Sequence, residues 1–495
     1  MKSHLYLINK FTSIKSVWKW FGRLTVIGAV LAIAGCMSVG PDYVKPNTKA
    51  PERWHSTLKN GLVSGSDSPQ AMTAWWSELK DPVLTNLINH AVENNLDVKE
   101  ARARIREARA RRNISQAGQY PTVTAEGSAI KSRTSGANGT STEGDLFSMG
   151  FDAGWELDLF GGVRRKVESA EADIDAGREL LHQTLVSLLA EVALNYVETR
   201  TFQTRIDVAK ANLRSQEETY QIVDSKYRAG LSNELSVQQA LYNLSSTQSQ
   251  IPALETGLEQ ARNRLAVLSG MMPGQLHKEL EAHGQIPVTP LTLAIGIPAD
   301  ALRQRPDVRR AERLLAAQTA RIGTAKADLY PKIRLGGSIG LESLSAGDLF
   351  NDATRIWNIG PRISWPIFDA GAIRNNIIVQ TELQEQALYQ YESAVMTALE
   401  EVENNLTAYV NEQLRRQSLI EADKAARRAV MLAEYQYKAG LVDFNIVLEA
   451  QRSASSFQDS LAQSDGTVII NLIRLYKSMG GGWTAFTSEN TSHSE

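Results

Sequence analysis

Two stretches without proline dominate the hydrophobic pattern of this chain, one between Pro121 and Pro252 and one after Pro366. In the first, Leu181, Leu185, Leu188, Val192, Phe202, Ile206, Ala209, Leu213, Tyr220, Val223 and Tyr227 recur at alternating steps of three and four residues. That is the spacing of a coiled-coil seam. Asn195, Thr199 and Gln216 interrupt it and alanine is frequent beside it, which predicts closely packed, gently supercoiled helices. A helix from Val163 to Gly230 would be roughly 100 Å long at ~1.5 Å per residue, more than an ordinary globular domain needs. Tyr227-Arg228-Ala229-Gly230-Leu231-Ser232 then supplies a glycine stop and a serine start, and a return helix bent at Pro252 is expected to reach Ser269-Gly270.

Period two takes over before the long helix. Tyr120-Pro121 closes a helix expected from about Leu96 to Gly118, itself preceded by a short helix that Asp81 caps and Pro82 opens. Val123, Ala125, Gly127 and Ala129 then alternate with Thr122, Thr124, Glu126 and Ser128. A Gly, Ser and Thr loop over Ser132 to Gly144 leads to a second strand, where Phe147, Met149, Phe151, Ala153, Trp155 and Leu157 alternate with polar and acidic residues. A half-buried hairpin of a soluble sheet would show the same alternation, but here nothing obvious would cover it. A membrane-spanning barrel, apolar outside and polar inside, fits as well.

The module then recurs. Asp97 and Asp307, Tyr120-Pro121 and Tyr330-Pro331, Trp155 and Trp365, Gly161 and Gly371, Tyr227 and Tyr437, Gly230-Leu231 and Gly440-Leu441, and Gly270 and Gly480 share one offset of 210. The expected organisation is a signal peptide over 1–35, a linker and short helix over 36–94, and repeat 1 over 95–270. Within repeat 1, strands fall at about 121–131 and 146–158 and the helical hairpin at 163–270. A linker over 271–304 precedes repeat 2 over 305–480, with strands at about 331–342 and 356–367 and a hairpin at 373–480; a mobile tail follows over 481–495. Four strands cannot close a spanning barrel, which needs at least ~8. Two chains would supply 8 and three 12, so the barrel must be shared between protomers, with every strand edge paired as a membrane requires.

Composition narrows the function. With 53 Lys+Arg against 55 Asp+Glu the net charge is −2, which disfavours nucleic acid as a partner. The single cysteine, Cys36, excludes an intrachain disulfide. Basic residues from Lys2 to Arg23 and the apolar run Leu24 to Gly35 read as a signal peptide, too short to span a bilayer. Ile33-Ala34-Gly35-Cys36 resembles a bacterial lipobox, with Ile where Leu is usual. The resemblance implies that Cys36 becomes the lipidated first residue, and Met37 after it implies sorting to the outer membrane. Several acyl chains on one residue make a stable anchor. No phosphate-binding loop, nucleophile elbow or HExxH pair is present, and His277 and His283 match no common zinc spacing. No cofactor, metal or catalytic residue is therefore expected, and the chain does not read as an enzyme.

Cys36 with Gly40-Pro41-Asp42-Tyr43, Trp75-Trp76, Arg305-Pro306-Asp307-Val308-Arg309, Tyr330-Pro331, both tip turns and Gly480-Gly481-Gly482-Trp483 occur in an order that resembles the outer-membrane efflux proteins of the TolC and OprM type, in their NodT-like lipoprotein branch. The resemblance covers nearly the whole chain after Cys36. It implies a mostly α fold with membrane β: a homotrimer with a 12-stranded outer-membrane barrel continued by a long periplasmic α-helical barrel. It also implies a periplasmic adaptor (membrane fusion protein) and an inner-membrane resistance-nodulation-division pump as partners, and passage of drugs or other small molecules outward. A duct for type I protein export is the alternative on the same scaffold, and a structural coiled coil without a pore is disfavoured by the aromatic strands and lipobox.

By the same resemblance, Glu449 occupies the place of a carboxylate ring at the closed periplasmic end, one turn after Asn445, and Tyr437 matches a tyrosine that ties neighbouring helices together. Glu449 stands where Asp is frequent, and Asn445 where an apolar residue is. Tyr437 and Asp443 are the candidates for holding the tips inward. Arg228, Gly230, Leu231, Gly440 and Leu441 are the candidate adaptor-contacting turns. Phe151, Trp155, Ile363 and Trp365 are expected to face lipid, and Asp152, Glu156 and Arg362 the lumen. Without that resemblance, Glu449 reads equally well as part of a solvated helix face.

Overall fold

The computed structural model describes residues 38–47, 50–59, 62–64, 72–135, 141–282, 284–287, 293–295 and 298–486. The expected signal peptide, Cys36, His283 and most of the C-terminal tail lie outside them. In chain order the elements are β1 (Leu62–Ser64), a 3-10 turn (Trp75–Leu79), α1 (Pro82–Asn94), α2 (Leu96–Ala117), β2 (Thr122–Ser135), β3 (Ser141–Leu157), α3 (Gly162–Arg228) and α4 (Glu234–Leu268). There follow β4 (Leu293–Ile295), α5 (Pro298–Gln304), α6 (Pro306–Ala327), β5 (Lys332–Ser343), β6 (Arg355–Ser364), α7 (Ala372–Lys438) and α8 (Phe444–Ser478). α2 and α6 have 22 residues each, α3 and α7 have 67, and α4 and α8 have 35. The pairs begin at 96 and 306, 162 and 372, and 234 and 444, an offset of 210 each time.

Several boundaries differ from the expectation. β2 and β3 run through much of the expected loop, because polar residues continue the ladder: Ser132 pairs with Gly144, Arg133 with Glu143 and Thr134 with Thr142. β6 ends at Ser364, so Trp365 lies just past the strand; Pro366 cannot donate to a ladder. α4 is capped not by Ser232 but by Asn233, whose side chain accepts from the Ser236 amide, and α4 continues through Pro252. Tyr227 is exposed rather than on the packed seam, since it sits in the last turn of α3, beyond the buried Val223. Of the residues expected to interrupt the seam, Thr199 and Gln216 are buried. Thr199 is satisfied by donating to the Asn195 carbonyl one turn back (2.8 Å). The expected linker over 271–304 contains β4, which pairs in parallel with β1, and the helix α5.

The chain divides into two compact units. The first, residues 1–46, 105–176 and 311–391, holds a four-stranded antiparallel sheet in the order β2-β3-β5-β6. A strap is clamped at the base of the strands: the Val39 amide donates to Phe160, and Arg165 reaches the Val39 carbonyl, Asp42 (2.6 Å) and Glu168 (2.8 Å). Tyr43 donates to Glu312, which also pairs with Lys45 (2.9 Å). Burial works to raise the Glu312 carboxyl, but Lys45 and Arg313 outweigh it and hold it below the usual carboxylate range. Gly40, at φ +100°, lies so close to Gly323 that a Cβ on it would come within 2.4 Å of the Gly323 Cα. Only glycine at both places permits the contact.

The second unit, residues 47–104, 177–310 and 392–495, is built on an apolar core of α1, the middle of α3 and the ends of α4 and α8. Trp75 stacks on Tyr476 and Trp76 on Phe486, with ring centroids 5.3 and 5.6 Å apart. Asp81 caps α1 through the Val83 and Leu84 amides and accepts from the buried Tyr196 hydroxyl (2.5 Å). The Arg200 guanidinium in turn donates to Tyr196 and to the Ala282 carbonyl. α4 and α8 end alike. Gly270 and Gly480, at φ +71° and +76°, turn the chain left-handed, and the next amide reaches back to Ala266 and Tyr476.

The last carbonyl of each returning helix is then satisfied by a residue from the start of its own repeat. Asn95 Nδ2 donates to the Leu268 carbonyl (2.9 Å), and Arg305, 210 positions on, donates to Ser478 (2.9 Å). Arg305 needs two carboxylates for this, Asp307 (2.6 Å) and Glu401 (2.7 Å), whereas the neutral Asn95 needs none and also caps α2 through the Asp97 and Val98 amides. Asn95→Ala is expected to destabilise by about 1–3 kcal/mol, the cost of unsatisfied buried groups and a lost cap. Arg305→Ala should cost about 2–3 kcal/mol, less than the ~3–5 of a fully buried pair because Glu401 is half-exposed. Unfolding temperatures measured beside the exposed control Arg104→Ala check this; both variants melting with the control would refute the helix-end role.

Candidate functional site

The sheet of the first unit is one candidate site. Directly paired residues share a face, so the register sorts every side chain. Ala125, Phe151, Ile339 and Trp357 form one cross-strand row, and Val123, Ala153, Gly337 and Ile359 the next; Trp155 pairs with Leu335, and Ile333 with Ile363. All lie on one face, and among the described residues nothing covers it: Trp357 is 74% exposed and Ile363 66%. The opposite face carries Thr124, Asp152, Ser338 and Asn358 in one row, and Glu156, Arg334 and Arg362 in another. Arg334 pairs there with Glu156 (3.0 Å). Phe151, Trp155 and Ile363 thus lie on the apolar face, and Asp152, Glu156 and Arg362 on the polar one.

The two tryptophans have matched supports. Trp155 Nε1 donates to the Gln119 carbonyl (2.9 Å) and Trp365 Nε1 to that of Leu329 (3.0 Å), so each indole is tied to the turn after a 22-residue helix. An indole with one tied polar edge and an exposed ring is the usual residue of a membrane interface. Among the described residues β2 and β6 each pair on one side only, leaving the other edge unsatisfied within the chain. A helix could offer an alternative span, since α3 has a window apolar enough to cross a membrane, but half of that window is buried inside the protein.

The turns between the paired long helices, within the second unit, form a separate candidate site. α3 and α7 end at Gly230 and Gly440, at φ +74° and +75°, with the Leu231 amide bonded to Lys226 and the Leu441 amide to Gln436. A Cβ at either glycine would meet nothing, so only the left-handed backbone requires glycine there. Leu231 and Leu441 are both exposed. Arg228 is exposed and paired with Asp224 one turn back (2.9 Å). Under these turns lies a small core of Val223, Val237, Ala240, Ala433, Phe444, Val447 and Leu448.

Tyr437 is half-buried against that core. Its ring packs on Phe444 (5.4 Å) and lies under the Lys226 ammonium (4.2 Å). Its hydroxyl has no hydrogen-bond partner within the described residues, and neither has the Asp443 carboxylate, which stands at the N-cap of α8 without bonding an amide. Asn445 and Glu449 lie one turn apart on the exposed face of α8, opposite Phe444, Val447 and Leu448. Glu449 is accompanied by Arg452, 3.8 Å away and itself over the Tyr242 ring (5.0 Å). The sequence reading missed Arg452, Lys226 and Phe444. The i,i+3 spacing of Glu449 and Arg452 was a visible signal for one of them. Gln451 faces inward and reaches Thr219 on α3 (3.0 Å) and Glu434 on α7 (3.3 Å). His277 is partly exposed and bonded to Glu259 and the Gly274 carbonyl.

Residues 87–271 and 297–481 match the family profile described as outer membrane efflux protein. Nodulation protein T of Rhizobium leguminosarum bv. trifolii is 33% identical over 446 residues, covering 90% of this chain and 94% of that protein. The toluene efflux pump outer membrane protein TtgI of Pseudomonas putida is 33% identical over 474 residues, 92% of this chain and 97% of its own. The solved structure of the outer-membrane channel OprN superposes with a TM-score of 0.85 at 35% identity, over 90% of this chain and all of that one.

Phe444 holds the tip core together, so Phe444→Ala is expected to loosen it by about 3–5 kcal/mol. Amide hydrogen exchange should accelerate over residues 220–228 and 433–448, whereas Leu441→Ala, at an exposed turn, should leave it unchanged. Equal exchange in the two variants would show that the tips are held by something other than this cluster.

Proposed function

Because this chain belongs to the outer membrane efflux protein family, it acts as an efflux channel of the outer membrane, and we propose that it does so as a homotrimer whose three sheets close one 12-stranded barrel. The observation that carries this reading is the four-stranded sheet, whose apolar face is uncovered and whose two edges are unpaired among the described residues. In lipid such edges must be paired, and β6 of one copy against β2 of the next keeps the strands antiparallel and the apolar face outward. Phe151, Trp155, Trp357 and Ile363 then meet lipid, Trp365 lies at its border, and Asp152, Glu156 and Arg362 line the pore.

In this arrangement the two repeats supply strands to the barrel and helical hairpins to a periplasmic α-barrel. The strap over 38–45 leads back to Cys36, the proposed site of lipid attachment. Gly230-Leu231 and Gly440-Leu441, with Arg228 beside them, are the surfaces offered to a periplasmic adaptor, and an inner-membrane pump supplies the energy. TtgI is by its name the outer-membrane part of an efflux pump, which supports such partners here. The cargo is drugs or other small molecules, and the chain itself carries no catalysis.

Glu449 and Asn445 face the constriction at the tips. Tyr437 and Asp443 have polar groups that find no hydrogen-bond partner among the described residues, and they bond a neighbouring copy to hold the tips inward. A ring of three carboxylates in a narrow throat repels itself and favours cations, but Arg452 offsets part of that charge.

Planar-bilayer conductance tests the gate. The wild type should be poorly conducting and cation-selective, Glu449→Gln less selective, Arg452→Gln more so, and Tyr437→Phe more conductive. Selectivity indifferent to both Glu449→Gln and Arg452→Gln would place Glu449 on a solvated face away from the pore. For the barrel, a charge on the lipid face costs about 2–4 kcal/mol at the midplane. Phe151→Arg should therefore reduce trimer yield where Asp152→Asn does not, and equal yields would overturn the facing of the sheet.

A further inference from the structure

Neither the sheet nor the tip core uses a cleft of about 410 Å³ in the second unit, bounded by α3, the start of α6, α7 and the end of α8. Its size falls within the ~300–1,000 Å³ typical of small-molecule sites. Three cations line it, Arg305, Arg474 and Lys477, together with two carboxylates, Asp307 and Glu401. Both carboxylates are held by Arg305, at 2.6 and 2.7 Å. Arg474 is exposed and Lys477 half-buried, and neither side chain has an ion pair or a hydrogen bond among the described residues. The Ser187 hydroxyl of α3, which lines the same cleft, is likewise unbonded there. Two positive charges and a hydroxyl thus open onto one cleft with no carboxylate paired to them.

The internal duplication shows that this imbalance belongs to one repeat. In repeat 1, Arg264 holds Glu191 at 2.6 Å. The same positions 210 residues on are Arg474 and Glu401, but there Arg305 takes the carboxylate, since repeat 2 has an arginine where repeat 1 has the neutral Asn95. Arg474 is left without its counter-ion. Lys477 stands where repeat 1 has the apolar Val267, one turn along α8 from Arg474, which puts their Cβ atoms roughly 5–6 Å apart. Like charges at that spacing repel, and an anion set between them relieves both. We propose that the cleft binds a dianionic phosphate group. The planar fork of Arg474 donates to two phosphate oxygens, Lys477 donates as a point charge, and the Ser187 hydroxyl donates from the neighbouring helix. Two free cations balance a dianion, whereas a single carboxylate leaves one of them over. The site lies within one chain, goes beyond conduction, and depends on neither the gate nor the three-chain assembly.

The test is a phosphorus NMR titration of the full chain in nonionic detergent and phosphate-free buffer, at about pH 8 so that the probes are dianions. The probes are inorganic phosphate and glycerol phosphate. Their signals are expected to broaden with the wild type; a response to the ester assigns the site to phosphate monoesters, and a response to the free ion alone assigns it to inorganic phosphate. The double variant Arg474→Gln/Lys477→Val should lose affinity by roughly tenfold or more, while Arg264→Gln, at the paired counterpart in repeat 1, should lose none. Neither Arg474 nor Lys477 holds a carboxylate, so the melting temperature without phosphate should not fall. Should the double variant fail to fold, Lys477→Val alone, which installs the residue of repeat 1, keeps the test decisive with a loss of roughly threefold. No broadening with the wild type, affinity untouched by these substitutions, an equal loss in Arg264→Gln, or displacement by succinate as effective as by phosphate itself would each overturn the assignment.

Discussion

An unpaired strand edge cannot be left in hydrocarbon, and that constraint governs the molecule. Among the described residues the antiparallel sheet has four strands, not the eight that the smallest spanning barrels need, and for this reason the proposed barrel is shared between copies. The exposed aromatic and branched side chains of β3, β5 and β6 would be a liability in water. In a bilayer the same face needs no further cover. In the proposed homotrimer, a repeated edge-to-edge contact completes what a single chain leaves unfinished.

Within the chain, the recurring problem is how to end long helices. Glycines in the left-handed region turn the backbone at all four hairpin-helix ends, and a side chain from each repeat's opening residue closes the last carbonyl of α4 and α8. The two repeats solve this second task with different chemistry. Asn95 bonds as a neutral amide, while Arg305 requires Asp307 and Glu401 around it. Arg305 opens one of the sequence's most recognisable motifs, and its place is at a helix end in the second unit rather than in a pore. Gly482, Trp483 and the Trp75-Trp76 pair are likewise packing residues: a Cβ on Gly482 would strike Leu189 at 2.7 Å, and Trp483 stacks on His182.

Much of this was legible because the period of the pattern is strong. Absence of proline and a three-four spacing placed α3 to within two residues, the 210-residue offset placed the start of its counterpart α7, and the alternation of Phe147 to Leu157 placed the apolar face of β3. Strand ends were less visible: Ser132 to Ser135 carry no alternation, and only the partner strand's register extends β2 through them. β1 and β4, three residues each, have too little pattern to announce a parallel pair. At the tips, sequence order pointed to Tyr437 and Glu449, and the i,i+3 spacing of Arg452 was visible too, but Lys226 reaches Tyr437 from another helix and depends on how the two pack.

The duplication has one further consequence. α4 and α8 are equivalent by position, yet Glu449 corresponds to Gln239 and Asn445 to Leu235. In the proposed three-chain assembly the hairpins are nearly sixfold in arrangement while their charges are only threefold. Carboxylates at the aperture therefore alternate with uncharged amides and stand farther apart than six would. The divergence of a single duplicated position lets an opening of nearly hexagonal form keep its electrostatic field at half strength, so that less repulsion has to be overcome to keep it shut.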